Sequence, residues 1–429
     1  MNKLTSKFYL VGIKGSGMSS LARILCDLGN FVMGSDIEKT FFTDESLSQK
    51  DIEVKPFNKD NITSEYMYII GKTYNEANNE EVKEIVDKQY RYMYYHEFIE
   101  YYFQGIKIGI CGSHGKSTVT KMISHLLEEK KVCSLSGDSS GYGIVDYKYF
   151  VFEACEYKNT FLNYTYDYLV VNNIDYDHPD FFKNEDEYIE AFNKVIEKAK
   201  YIIVNNDSIN THKLNHRNKY TFGKTKDNDL VIYKITEYKD GYIVKVATGK
   251  KLKEIEIEIM IPFKGIHNVY NVIASYLVTI LLNEEIDINR KLKTFVFPKR
   301  RMEISYYNTN ILIDDYAHHP TEIKCLIDMI KSKYKGKLIV AIFQPHTYSR
   351  TIAFEKEFQA CFDGCDEVYY LPTFISRENY DVCVEEKVDE ILKKYKKIDV
   401  DGLKKFKKYG DSVIVFIGAG DITSAKIKM

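Results

Sequence analysis

A turn reading Gly112-Ser113-His114-Gly115-Lys116-Ser117-Thr118 lies between a strand-like apolar run at 106–111 and a helical stretch at 119–129. Backbone N–H groups in a strand-to-helix turn, together with the positive end of the following helix, cradle phosphate oxygens. Glycines at 112 and 115 let the backbone approach closely and take dihedrals that other residues resist. Lys116 is then placed to reach β- and γ-phosphates, and the Ser117 hydroxyl to face Mg²⁺. The commoner phosphate loop has four residues between its glycines; this one has only Ser113 and His114. A chance Lys-Ser in a glycine-rich turn is the plainer alternative, and the flanking strand and helix argue against it. The turn calls for an α/β unit with a nucleotide at the sheet edge. It is silent about the reaction.

A second glycine turn opens the chain. Gly12-Ile13-Lys14-Gly15-Ser16-Gly17-Met18-Ser19 follows an apolar run at 8–11, and Gly34-Ser35-Asp36 follows another at 30–33. The pattern is close to a dinucleotide fingerprint, with an acidic residue about twenty positions on for a ribose. Alone it fits NAD, FAD, any nucleoside diphosphate ligand, or a tight turn that merely starts a helix. A triphosphate turn in the next unit shifts the reading toward one chain that handles two nucleotides.

Further strand runs at 149–153, 168–172 and 201–204, with a helix at 187–200, extend the parallel α/β pattern. Residues 230–263 change to β-rich alternation with an Asp240-Gly241 hairpin signal, and 268–282 reads as a buried helix. After Phe297-Pro298, strands at 311–313, 338–343, 368–371 and 413–417 alternate with helices beginning near Pro320, Thr351 and Glu385. The lysine-rich stretch at 393–408 reads as solvated. The expected fold class is α/β in three domains, at 1–97, 98–297 and 298–429. The first and third are Rossmann-like; the central one is a phosphate-loop domain with a parallel sheet and a small antiparallel extension.

Composition narrows the function classes. A chain of 429 residues exceeds one ordinary core. Its 60 basic and 62 acidic residues leave a net charge of -2, which offers no global field for nucleic acid. The longest apolar stretch, at 271–282, is too short to span a bilayer, so no membrane insertion is expected. Of eight cysteines only Cys361 and Cys365 are close, and no zinc pattern completes them. Most are expected to be buried, reduced thiols of a cytoplasmic protein.

With these segments in place the chain resembles the Mur ligase family along essentially its whole length. The resemblance rests on both glycine turns, on Phe152-Glu153-Ala154-Cys155-Glu156-Tyr157, and on Asn172-Asn173-Ile174-Asp175-Tyr176-Asp177-His178. It continues with Gly265-Ile266-His267-Asn268, Arg300-Arg301, Asp314-Asp315-Tyr316-Ala317-His318-His319-Pro320-Thr321-Glu322, and Phe343-Gln344-Pro345-His346-Thr347-Tyr348-Ser349-Arg350-Thr351. The last two together mark the alanine-adding member and its close relatives. Positions 113 and 117 are Ser where family members often carry Ala or Thr; Thr347 replaces an arginine found in part of the family, so Arg350 is expected to do more.

The resemblance implies an ATP-dependent ligase that joins L-alanine to UDP-N-acetylmuramic acid in peptidoglycan synthesis. ATP, Mg²⁺ (two ions) and the two substrates are the implied ligands, in a monomer or weak homodimer. Lys116, Glu153, His178 and Arg350 are the implied catalytic residues, with Ser117, Glu153 and His178 on metal. ATP is assigned to Gly112, Ser113, His114, Gly115, Lys116, Ser117, Thr118, His267, Asn268, Asp315 and Tyr316. The UDP-sugar is assigned to Gly12, Lys14, Gly15, Ser16, Gly17, Met18, Ser35 and Asp36, and L-alanine to Tyr316, His318, His346 and Arg350. From the residues alone, Glu153 could be an exposed carboxylate at a strand end. Imidazole suits a hard cation poorly, which favours Asp175 or Asp177 over His178. His267-Asn268 could simply cap a helix, and His114 is given only backbone contacts. A ligase that adds a whole peptide to the same sugar, a non-catalytic nucleotide sensor and a dehydrogenase are the alternatives.

Overall fold

The computed structural model describes residues 6–249, 251–423 and 426. Strands β1 (Lys7–Val11), β2 (Phe31–Asp36), β3 (Glu53–Pro56), β4 (Met67–Ile70) and β5 (Tyr92–Tyr94) form an all-parallel sheet in the order β3-β2-β1-β4-β5. The order reverses between β1 and β4, the point where such sheets open a ligand crevice. The first glycine turn leaves β1 there. It enters the helix Ser16–Asp27, whose Met18, Leu21, Ala22 and Leu25 recur at helical spacing and are buried.

The central unit holds β6 (Ile106–Cys111), β7 (Val132–Leu135), β8 (Tyr149–Glu153), β9 (Tyr166–Val171), β10 (Ala199–Asn205), β11 (Lys219–Gly223), β12 (Leu230–Tyr238), β13 (Gly241–Thr248) and β14 (Glu256–Ile261). Their order is β14-β13-β12-β11-β10-β9-β6-β8-β7. β12, β13 and β14 pair antiparallel and extend the parallel sheet through β11. β6 lies between β8 and β9, so the phosphate turn is flanked by Glu153 on one side and by the segment after Val171 on the other. The helices Lys116–Leu126 and Ile266–Leu281 pack against each other and share a core with β6 and β8.

In the third unit, β15 (Glu303–Tyr307), β16 (Asn310–Asp315), β17 (Leu338–Phe343), β18 (Glu367–Tyr370), β19 (Lys396–Lys397) and β20 (Ser412–Ile417) are ordered β15-β16-β20-β17-β18-β19. Only β15 is antiparallel to its neighbour. Asp315, Phe343 and Ile417 end in register, so the loops after β16 and β17 leave one edge of the sheet together. That edge faces the phosphate turn. The α/β reading therefore stands for all three sheets.

Several local expectations differ from the structure. The helix after the phosphate turn begins at Lys116, which places Lys116, Ser117 and Thr118 on its first turn; their polarity hid that turn from the apolar periodicity. Helices also begin at Tyr348 and Val382, each three residues before the expected start. The stretch at 393–408 is not wholly solvated, because Leu403 and Phe406 pack with Leu312, Ile414 and Phe416. Cys111, Cys133 and Cys361 are buried, but Cys26, Cys155, Cys325 and Cys365 are only partly so and Cys383 is exposed. Among the described residues no helix is long and apolar enough to cross a membrane.

Candidate active site

The phosphate turn is clamped from the segment that follows β9. His114 donates its backbone N–H to Asn173 Oδ1 at 2.8 Å, while Asn172 and Asn173 both donate to the His114 carbonyl at 3.0 and 2.9 Å. Ser113 donates its hydroxyl to the Asp175 carbonyl at 2.5 Å. Gly115 has φ +80°, and a Cβ there would lie 2.7 Å from Asn172 Nδ2. Only glycine allows both the dihedral and the approach. The turn is thus held in shape by its neighbours.

Lys116 folds back on the turn, donating to the carbonyls of Gly112 at 2.6 Å and Ser113 at 3.0 Å and to Glu156 Oε1 at 3.0 Å. Burial alone would raise the Glu156 carboxyl, but the Lys116 charge and His178 hold it below its usual range. Ser117 donates to Glu153 Oε2 at 2.7 Å, and Gly137 N–H reaches the same oxygen at 3.1 Å. A hydroxyl and a carboxylate meeting beside the helix start are the hard oxygen donors that Mg²⁺ takes. His178 Nε2 lies 3.4 Å from Glu156 Oε1, and Glu156 Oε2 is buried with no hydrogen-bond partner. That orphaned oxygen beside an imidazole is a second place with spare capacity for a cation.

Two cavities share this turn. One of about 830 Å³ is lined by His114, Gly115, Thr118, His267, Asn268 and Asp315, among others, and runs between the central and third units. The other, about 180 Å³, is lined by Lys116, Ser117, Glu153 and His178 from the central unit, Tyr316 and His318 from the third, and Phe42 from the first. The Asp315 carboxylate accepts from the N–H groups of Met302 and Ala317 at 2.8 Å, and its pKa is raised by burial against the nearby Arg301 charge. Arg301 bonds Glu322 and lies over the Tyr316 ring.

The histidines divide by charge. His114 is bonded to Asp175 at 2.9 Å and sits 3.5 Å from Glu322; burial opposes its charge, but the two carboxylates raise its pKa to about 9. The imidazole expected to contribute only backbone therefore joins the central unit to the third. Thr321 donates to Asp175 at 2.7 Å across the same seam. Burial, with nearby cations, lowers His267 to about 4 and His318 to about 3, and takes His346 well below its ordinary range. These three are neutral at pH 7.

Arg350 is 1% exposed and is engaged by Asp177 Oδ1 at 2.9 Å from Nε and by the His346 carbonyl at 2.9 Å from Nη1. His346 and Arg350 lie beside His318 but line neither cavity. The first glycine turn stands apart from both cavities. There Lys14 N–H and Ile37 N–H both donate to Asp36, whose carboxyl is raised by burial. The Lys14 ammonium is bonded to the carbonyls of Ile37 and Lys39, and the Ser35 hydroxyl to Glu81. Asp36 accordingly braces its own turn. Gly12 has φ +82°, and a Cβ there would strike the Tyr74 ring at 2.4 Å.

Comparison with known proteins follows this division into three. Residues 7–104 match "Mur ligase family, catalytic domain", 110–279 match "Mur ligase middle domain", and 300–420 match "Mur ligase, glutamate ligase domain". A UDP-N-acetylmuramate–L-alanine ligase of Streptococcus sanguinis is 37% identical, covering 98% of this chain and 96% of its own. The chain belongs to the Mur ligase family. Among solved structures, the UDP-N-acetylmuramate–alanine ligase of Thermotoga maritima is similar with a TM-score of 0.80 and 25% identity, covering 98% of this chain and 97% of its own. A murein peptide ligase of Psychrobacter arcticus has the same fold, with a TM-score of 0.71 and 19% identity over 99% and 98% of the two chains.

Within this Mur ligase, sequence reasoning singled out the turn and the strand ends but passed over the residues that engage them. Glu156, Arg301 and Glu322 stand inside the motifs, Glu156 pairing with Lys116 and Glu322 with His114 and Arg301, whereas Asp177, favoured from the residues alone as a metal ligand, is paired with Arg350. The signal for the three that were missed was their nearness in sequence to Glu153, Arg300 and Thr321. Arg377 had none. Its guanidinium bonds Asp180 at 2.5 and 2.7 Å, lies 4.2 Å over the Tyr157 ring, and approaches His178 Nδ1 at 3.3 Å.

Proposed function

We propose that this Mur ligase joins L-alanine to the lactyl carboxylate of UDP-N-acetylmuramic acid at the expense of ATP, as a step of peptidoglycan precursor synthesis. The observation that carries the reading is the cavity at Lys116, Ser117 and Glu153, to which all three units contribute. A cavity lined by three units gives a phosphate donor, a carboxylate acceptor and an amine one place to meet. The relatives named above as UDP-N-acetylmuramate–L-alanine ligases specify the substrates.

The carboxylate oxygen of the sugar attacks the γ-phosphorus and ADP leaves. The alanine ammonium first loses a proton to solvent; the free amine then attacks the acyl carbon of the acyl phosphate, and its second proton departs with the inorganic phosphate. Two anions must approach, so preorganised cations and donors supply most of the catalysis. Lys116 exchanges Glu156 for phosphate oxygens, and the N–H groups at the start of the helix from Lys116 hold the rest, those of Ser113 and His114 being committed to Asn173. Asp315 and the His267-Asn268 helix start are assigned to the nucleoside side of the larger cavity. Neutral His318 and His346 leave the approaching ammonium unrepelled. Ser117 and Glu153 are the residues assigned to Mg²⁺, with His178 beside a second ion; the metal supplies charge neutralisation on the transferring phosphoryl group.

The UDP moiety is assigned to the crevice at Gly12–Met18, Ser35 and Asp36. We place the unit boundaries at 97 and 297, the protein in the cytoplasm, and its state as a monomer or weak homodimer. Phosphate release from ATP and Mg²⁺ with UDP-N-acetylmuramic acid, with and without L-alanine, tests the reading when product mass is followed. Alanine-dependent release with the mass gain of one alanyl residue is expected. Release only with a peptide would retain the mechanism and move the substrate, and no release at all would overturn it.

A further inference from the structure

We infer that Arg377 holds the α-carboxylate of the incoming amino acid, an inference that rests on the ligase reading above. An α-amino acid whose amine faces the acyl phosphate presents a carboxylate close by, and that charge needs a positioned cation. Position 347, between His346 and Arg350, is a buried uncharged Thr347. Every arginine around the reaction site, Arg377 included, already has a carboxylate partner, so engagement alone does not choose among them. Lys116 serves the phosphates and Glu156. Arg300 is spent on Asp314 and on the carbonyls of Gly418 and Gly420. Arg301 is held by Glu322, and Arg350 is sealed at 1% exposure against Asp177.

Arg377 matches Arg301 in access, the two side chains being 27% and 24% exposed, and differs from it in attachment. Arg377 Nη2 comes within 3.3 Å of His178 Nδ1 at the edge of the phosphate site. The loop that carries it is fastened to the segment bearing His346. Thr347 N–H donates to the Phe374 carbonyl at 3.1 Å, Tyr348 N–H donates to Glu378 at 2.5 Å, and the His346 ring stacks on Phe374. Tyr157 supports the guanidinium face and Asp180 occupies its fork. Asp180 stands in for the ligand, as a protein carboxylate bound where a substrate carboxylate is to bind. The bidentate geometry suits an amino acid and disfavours an amine without a carboxylate.

The test is steady-state turnover of wild type, Arg377→Ala and Arg377→Lys at saturating ATP and UDP-N-acetylmuramic acid, with L-alanine and with L-alaninamide. Arg377→Ala is expected to raise KM for L-alanine about 10- to 100-fold, the worth of one charge-assisted interaction. KM for ATP and for the sugar stays within about twofold of wild type on that same scale, and Arg377→Lys recovers part of the loss. L-alaninamide, lacking the carboxylate, is used equally poorly by all three proteins. If Arg377 were only a strut between units, all three KM values would rise together, or alaninamide would suffer the same loss as alanine; either result overturns the inference. Wild-type turnover with an unchanged alanine KM in Arg377→Ala removes the inference alone. Wild type without amino-acid-dependent phosphate release removes the ligase reading and the inference with it.

Discussion

Arg350 Nε donates to Asp177 Oδ1 at 2.9 Å, and the two side chains are 1% and 4% exposed, so a full ion pair sits between the third and central units out of reach of water. Burial alone would push the Asp177 carboxyl up, yet the Arg350 charge holds it well below its usual range. Removing one partner leaves the other charged and unpaired. Arg350→Met should therefore destabilise the protein by about 3–5 kcal/mol, measurable by denaturant unfolding. A loss under about 1 kcal/mol, the scale of an exposed pair, would show that water reaches the site.

Lys116→Ala removes the ammonium that bridges the turn and Glu156. Loss of one preorganised cation at a transferring phosphoryl group should lower kcat by about 100- to 1,000-fold. Phosphate release is the assay, with far-UV circular dichroism as the check on folding. Retained activity would move the phosphate site elsewhere.

Glu153 accepts from Ser117 and Gly137 at the place assigned to the metal. Glu153→Gln should raise the Mg²⁺ concentration for half-maximal rate by about tenfold or more, in the range seen when metal sites lose support. Chelation of Mg²⁺ should abolish phosphate release in both proteins. An unchanged Mg²⁺ dependence in the variant would detach Glu153 from the ion.

His114 faces Asp175, Glu322 and His319, with Arg301 and His267 nearby. Its pKa is raised from 6.5 to about 9: burial works against the charge, and the carboxylate contacts outweigh it. A raised pKa means that the stabilisation is fully present below about pH 6.5 and is lost as pH climbs through about 9. The difference in Tm between wild type and His114→Asn should thus be constant in acid and shrink across that window. Differential scanning calorimetry at pH 6, 7.5 and 9.5 would test this; a gap that widens with pH would contradict it. The scale is about 2–4 °C per kcal/mol for domains of 150–250 residues.

What could be read from the chain was whatever is local. The phosphate turn, its strand β6 and the β12–β13 hairpin at Asp240-Gly241 are written in contiguous residues, and each lies where periodicity and glycine placement put it. Strand ends at Asp315 and Phe343 marked one edge because parallel sheets collect their loops there. Charge partners were another matter. Arg350 finds Asp177 across 173 positions, and Arg377 finds His178 across 199. No spacing rule reaches that far, since such pairs depend on how whole units approach. Asp36 illustrates a different limit: the motif singled it out, but only the fold shows that it ends β2 and that its oxygens are committed to Lys14 and Ile37.

The pairing of Lys116 with Glu156 has a consequence for an idle protein among millimolar inorganic anions. An uncompensated ammonium in a ring of N–H donors would act as a trap for free phosphate or sulfate. Here the ammonium is satisfied by a carboxylate and two carbonyls, so a lone anion gains little by displacing them. On the proposed function, a triphosphate would bring a nucleoside into the larger cavity at the same time, and that added purchase would dislodge the internal partner. A site that carries its own counter-ion in this way would select against small anions.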